Sequence, residues 1–218
     1  MATVSQPEAA FDLSAAVQVT NPQKGDIEKP NKRLDWQTDN ATRGLRFVPL
    51  NLTPDSLRLL VFIDSSFANN PDHSSQIGYV IVLTNKHDNA NILHWSSMKC
   101  KRITRSVLAS KLYGMAHGFD TGASIKHTIE LILQIDNLPL TLCTDSKSLY
   151  EYLVKLGTTQ EKRLMIDILC LRQAYKRHLI TEIVWIDGIT NPADTMTKSK
   201  LDWPRSGPVW TVAFFGDC

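Results

Sequence analysis

Six residues constrain this chain more than any others: Leu59 to Asp64, LLVFID, an unbroken apolar run closed by an acid. A strand with one wet face alternates apolar and polar residues, whereas a continuous run suits a strand buried on both faces. Such a strand lies in the middle of its sheet and needs neighbours on each side. IGYVIVL (77–83) and NILHW (91–95), separated by the turn-rich NKHDNAN, supply two strands in hairpin order. LTLC (140–143) and ITEIVWI (180–186) read as a fourth and a fifth.

Helical patterns fill the intervals. From Thr104 to about Lys126, the residues Leu108, Leu112, Met115, Phe119 and Ala123 recur at steps of four, three, four and four, one face of a long helix. Leu149, Leu153 and Leu156 mark a helix with its stop expected at Gly157. Leu164, Ile168, Leu171 and Tyr175 repeat the step, and NPADTMTK reads as a last helical turn. Three strands in succession, then alternating helix and strand, predict an α/β fold. Its sheet is five-stranded and mixed, flanked by helices, with a meander on one side and parallel strands entering through crossovers.

A chain of 218 residues with 43% hydrophobic content holds one real core. Residues 1–57 are uneven, and Pro30, ahead of KRLDWQTD, is expected to end or kink any helix there. They read as a connecting segment, with the domain over 58–200 and a tail over 201–218. A net charge of +2 excludes a polybasic wrapper or an acidic tail, so any partner must be recognised locally. No apolar run approaches the roughly 20 residues of a membrane helix, and the first residues lack the pattern of a secretion signal. An intracellular setting, cytoplasmic or nuclear, without a membrane partner is expected. Cys100, Cys143, Cys170 and Cys218 form no CxxC pair, which argues for reduced thiols and against a zinc cluster.

Three acids stand where a sheet of this kind gathers its reactive groups, at the carboxyl ends of strands. Asp64 ends the first strand and Asp145 follows the fourth, and either alone could be a turn residue or a helix cap. Asp194 lies in Asn191-Pro192-Ala193-Asp194, which by itself spells the start of a helical turn. If the first and fourth strands are parallel neighbours, however, Asp64 and Asp145 come side by side. Two unpaired carboxylates that close repel, and a divalent cation is the natural remedy, which points to metal-assisted phosphoryl hydrolysis.

Four blocks, FIDSSFAN, HWSSMKCKRITRSVLASKLYGMAHGFD, LCTDSKSLYEYLVKLGTTQEKRLMIDI and WIDGITNPADTMTK, resemble the ribonuclease H domain of copia-type long-terminal-repeat retrotransposon polyproteins, particularly those of fungi. The upstream piece, FDLSAAVQVTNPQ to NKRLDWQTDNATRGLRFVPL, is similar to the segment that links the reverse transcriptase thumb to that domain. The resemblance implies a ribonuclease H-like fold, cleavage of the RNA strand of an RNA–DNA hybrid, Mg²⁺ as cofactor, and Asp64, Asp145 and Asp194 as its ligands. The family's fourth acid, a Glu in the long helix, falls on Lys111 of SVLASKLYG. The tail LDWPRSGPVWTVAFFGDC does not resemble the family's closing helix, which suggests a piece of a decayed element.

Lys111 removes a ligand and adds an ammonium. A pair of unit charges at 4 Å is worth about 4 kcal/mol at an effective dielectric of 20, and each 1.36 kcal/mol of barrier is roughly a factor of ten in rate. Asp120, about half a helical turn round from Lys111, cannot stand in for the missing acid. Lys111 is therefore expected to pair with Asp64 or Asp145 and to leave hybrid cleavage weak or absent. Lys99, Lys101, Arg102 and Arg105, just ahead of the long helix, are candidates for phosphate contacts. Three functions follow as alternatives: an active Mg²⁺-dependent nuclease, a nuclease-derived module that binds nucleic acid without cutting, and a protein-interaction scaffold.

Overall fold

In the computed structural model, residues 6–199 are described except 43, 51, 54–55, 87–88 and 158–160; the tail 201–218 lies outside them. One mixed sheet carries the fold. Its strands are β1 (Arg58–Ser66), β2 (Gln76–Thr84), β3 (Ala90–Lys99), β4 (Leu140–Thr144) and β5 (Glu182–Trp185), in the order β3-β2-β1-β4-β5. The pairs β1–β2 and β2–β3 are antiparallel, while β1–β4 and β4–β5 are parallel. Every residue of β1 after Arg58 is buried. Leu59, Val61 and Ile63 face one core and Leu60 and Phe62 the other, which is why the run reads apolar without alternation.

The helices are α1 (Ala10–Val17), α2 (Lys24–Asp39), α3 (Val107–Leu133), α4 (Lys147–Val154) and α5 (Lys162–Lys176). Helix α3 lies across β1, with Leu112 and Met115 fully buried. Truncating either to Ala would cost about 2–5 kcal/mol. Gly118 and Gly122 set how closely the helix approaches. A Cβ on Gly118 would stand 3.0 Å from Ile63 Cγ1, and one on Gly122 2.7 Å from Val61 Cγ2.

Two local expectations are corrected. Helix α2 runs through Pro30, although the proline has no N–H to give the Asp26 carbonyl. Tertiary contacts override the break. Arg33, 1% exposed, donates to Asp12 of α1 at 2.5 Å and its guanidinium lies 5.1 Å from the centre of the Trp36 ring. Helix α4 ends at Val154, before Gly157, and the left-handed residue is Leu156, at φ 57°. Gly157 is needed for room instead, since a Cβ there would come within 2.9 Å of the Tyr152 ring. The Arg172 guanidinium holds that corner by donating to the carbonyls of Tyr152 and Gly157.

The segment before β1 packs on the sheet. Helix α1 lies against β3, and Gln76 Nε2 on β2 donates to Ser14 Oγ of α1 at 3.0 Å and to Ser97 Oγ of β3 at 2.9 Å. Gln18, just past the end of α1, donates to Gln76 Oε1 at 3.2 Å, so a buried amide fastens the segment to the domain.

Candidate functional site

Parallel pairing sets Ile63 opposite Thr144, so the next residues along the chain, Asp64 still within β1 and Asp145 just past the end of β4, come to the same level. Asp64 is buried, and the Asp145 side chain is 18% exposed. Ser106 caps α3 by accepting from Ala109 N at 3.2 Å, which starts the helix at Val107 and sets Lys111 in its second turn. One turn later Gly114 lets the helix come so near that a Cβ would meet the Asp64 carbonyl oxygen at 3.3 Å.

Lys111 reaches both aspartates. Its Nζ donates to Asp64 Oδ1 and, at 2.7 Å, to Asp145 Oδ1, with the lysine side chain 12% exposed. Burial alone would push the ammonium pKa down. The charge of Asp64, hydrogen bonds to Asp145 and Asp64, and the charge of Asp145 together raise it, so Lys111 is charged at neutral pH. Asp145 is steadied by the Trp185 indole, whose Nε1 donates to its backbone carbonyl at 3.1 Å.

The third acid comes from the turn Pro192–Met196. Asn191 fixes that turn twice, its Oδ1 accepting from Ala193 N at 3.1 Å and its Nδ2 donating to the Ile63 carbonyl at 3.0 Å. Thr197 then donates its hydroxyl to Asp64 Oδ2, and Lys198 donates to Asp194 Oδ1. The Asp194 hydrogen bond raises the Lys198 pKa against partial burial, and the charges of Asp194 and Asp64 outweigh repulsion from Lys111. Gly78, opposite Asp64 on β2, gives the turn room, since any Cβ there would collide with Met196.

Sequence reasoning passed over Thr197, Lys198 and Gly78. Signals existed for two of them. Lys198 follows Asp194 by four residues, the spacing of a helical ion pair, and a glycine inside a strand marks a close approach.

The donor set does not fit a magnesium centre. An ammonium stands within hydrogen-bond reach of both Asp64 and Asp145, and both oxygens of Asp64 already accept hydrogen bonds. Among the described residues, no group of three or more His, Cys, Asp or Glu side chains is disposed to hold a metal ion.

The basic residues ahead of α3 divide. Lys99, at the same end of the sheet as Asp64, pairs with Asp72 and holds that exposed carboxyl well below its usual range. Arg102 pairs with Asp167 of α5 at 3.1 Å and lies 4.9 Å from the centre of the Tyr113 ring. Lys101 and Arg105 are exposed and make no ion pair among the described residues.

No family model matches the chain. It is 23% identical over 173 residues to the Gag-Pol polyproteins of the Saccharomyces cerevisiae transposons Ty1-DR5 and Ty1-H; the match takes in 77% of this chain and 9% or 8% of those polyproteins. The chain therefore spans about a tenth of the length of these relatives. A crystal structure of LC11-RNase H1 in complex with an RNA/DNA hybrid superimposes with a TM-score of 0.50 at 14% identity, covering 66% of this chain and 97% of that one. RNase H1 of the archaeon Halobacterium salinarum matches with a TM-score of 0.49 at 16% identity, over 64% of this chain and 94% of that one. The chain is homologous to a retrotransposon polyprotein and has the ribonuclease H fold. In this ribonuclease H-like domain the three aspartates stand beside two lysines, and none of the described helices is long and apolar enough to cross a membrane.

Proposed function

We propose that this ribonuclease H-like domain of retrotransposon descent binds nucleic acid and cleaves the RNA of a hybrid very slowly or not at all. The observation that carries this reading is the Lys111 ammonium shared by Asp64 and Asp145. In the family it resembles, carboxylates hold two Mg²⁺ ions that activate a water and stabilise the leaving oxygen. Here a fixed positive charge takes the place of a negative one beside those carboxylates. At about 4 kcal/mol for a pair of unit charges at 4 Å and a dielectric of 20, and twice that against a doubly charged ion, screening by half still leaves about 4 kcal/mol, or roughly a thousandfold in rate.

Nucleic-acid contact belongs to the same reading. Lys101 and Arg105 are available for phosphate at the start of α3, where backbone N–H groups add to the attraction. Lys99 and Arg102 would first have to leave Asp72 and Asp167. So do the intracellular setting and the division into a connecting segment, 1–57, a nuclease-like domain, 58–200, and a tail, 201–218.

The test is hybrid cleavage with Mg²⁺ or Mn²⁺ by the chain and by Lys111→Glu, beside hybrid binding at several salt concentrations. The chain is expected to bind with salt-dependent affinity and without turnover, and removal of Lys101 and Arg105 to lower the salt slope by about 2. Equal, strong cleavage by both proteins would refute the proposal.

A further inference from the structure

An exposed apolar rim surrounds the charged floor of the site. Trp185 belongs to the edge strand β5, opposite Thr144, and by strand alternation it shares a face with Ile183, the face on which α3 packs. Its indole is tied by Nε1 to the Asp145 carbonyl at 3.1 Å, yet the residue is 49% exposed, so the ring is fixed in direction and open to solvent. Ile189, 93% exposed, follows Gly188, where a Cβ would lie 3.5 Å from Asp145 Oδ2. Val107 is exposed one turn before Lys111 on α3. Beyond it stand Lys101 and Arg105, exposed and without an ion pair among the described residues. Arg105 precedes Lys111 by six residues, roughly 10 Å along the axis.

We infer that this mouth takes an unpaired nucleic-acid strand in preference to a duplex, with a base stacked on the Trp185 indole and the phosphates turned to Lys101 and Arg105. The inference rests on the reading of this domain as a nucleic-acid binder and names the kind of strand it takes. Charge separates the two kinds. Asp64, Asp145 and Lys111 together carry one net negative charge, so a phosphate laid over them is repelled. A duplex keeps its base faces stacked inside and meets the mouth with phosphate and sugar. An unpaired strand can turn its phosphates toward the cations and offer a base face to the apolar rim. A ring already held by a hydrogen bond loses little freedom when a base settles on it. Every base has a face to stack, so the mouth selects for an unpaired strand and not for a sequence.

The experiment is fluorescence anisotropy of two labelled probes titrated with the full chain in chelator: an oligothymidylate of about 12 nucleotides and an RNA–DNA hybrid of the same length. The parent is expected to bind the single strand more tightly than the hybrid. Trp185→Ala should weaken the single strand about tenfold, as loss of one stacked base gives, and change the hybrid by less than about twofold. Trp185→Phe, which keeps a ring and loses the N–H, should retain most of the affinity, and Trp185→Leu, apolar without a π-face, should not. Removing Lys101 and Arg105 should lower the salt slope for the single strand by about 1.4. Single-strand binding by Trp185→Ala equal to that of the parent, or a parent that prefers the hybrid, would overturn the inference while leaving the proposed function standing. Binding of neither probe would overturn the proposed function and the inference with it. If Trp185→Ala does not fold, the Phe and Leu variants carry the comparison: tighter single-strand binding by Trp185→Phe supports the stacked base, and equal binding by the two overturns it.

Discussion

Gly78→Ala places a single methyl at the joint that holds the site together. Gly78 lies opposite Asp64 on β2, and its missing Cβ leaves the space filled by the Pro192–Met196 turn. An added Cβ would overlap Met196 Cβ and stand 3.1 Å from Thr197 Cγ2 and 3.2 Å from the Met196 carbonyl carbon. Two of these three neighbours belong to backbone or to a Cβ, so no side-chain rotation relieves the clash. The turn must retreat by about 1 Å to reach an ordinary carbon–carbon separation. That distance is enough to break the Thr197 bond to Asp64 and the 2.6 Å bond from Ser97 Oγ to the Met196 carbonyl. Overpacking costs about 1–3 kcal/mol, and losing a hydrogen bond to a buried charge about 1.5–3 kcal/mol. Some overlap between the two leaves an expected loss of about 3–4 kcal/mol, a fall in Tm of roughly 10 °C for a chain of this size. Urea denaturation and calorimetry measure it, and hydrogen exchange at the amides of 194–198 reports whether the turn has loosened. A Gly78→Ala protein within about 1 kcal/mol of the parent would refute the claim that the turn depends on this close approach.

Other substitutions give contrasting outcomes. Gly25→Ala, in the first turn of α2 with nothing within 4 Å of the new Cβ, should stabilise by about 0.5 kcal/mol, read as a higher urea midpoint at unchanged m-value. Arg33→Met strands Asp12, whose side chain is 13% exposed, and removes the guanidinium from Trp36, so a loss of about 3 kcal/mol is expected in the same assay. A thiol reagent at pH 8 should label exposed Cys170 in the native protein and spare Cys100 and Cys143 until denaturant is added. Burial, with the nearby charge of Glu182, pushes the Cys143 thiol up to about 12, so it carries almost no thiolate at pH 8, and peptide mapping would show this.

Much of the architecture is legible in the sequence because its signals are local and strong. LLVFID announces a strand buried on both faces, and the run of three strands followed by alternation dictates the order in which β4 and β5 join. What was missed depends on contacts made across long separations. Pro30 fails to end α2 because Arg33 is held by Asp12, 21 residues away. Helix α3 extends to Leu133, past the expected end near Lys126, since Ile125, Ile129 and Leu133 continue to pack on the core although the stripe is diluted by polar neighbours. At the site, the positions of Asp64, Asp145 and Lys111 follow from the strand order and helix phase. Thr197 reaches an acid 133 residues before it, a partner that spacing along the chain cannot name.

Magnesium titration of the unaltered chain, followed by calorimetry, addresses the centre of this account most directly. With Lys111 bound to Asp64 and Asp145, no saturable heat should develop at millimolar Mg²⁺, and Tm should be the same in Mg²⁺ and in chelator. A two-site isotherm with a Tm that climbs with Mg²⁺ would contradict it, because the Lys111 ammonium would then have yielded its place to metal.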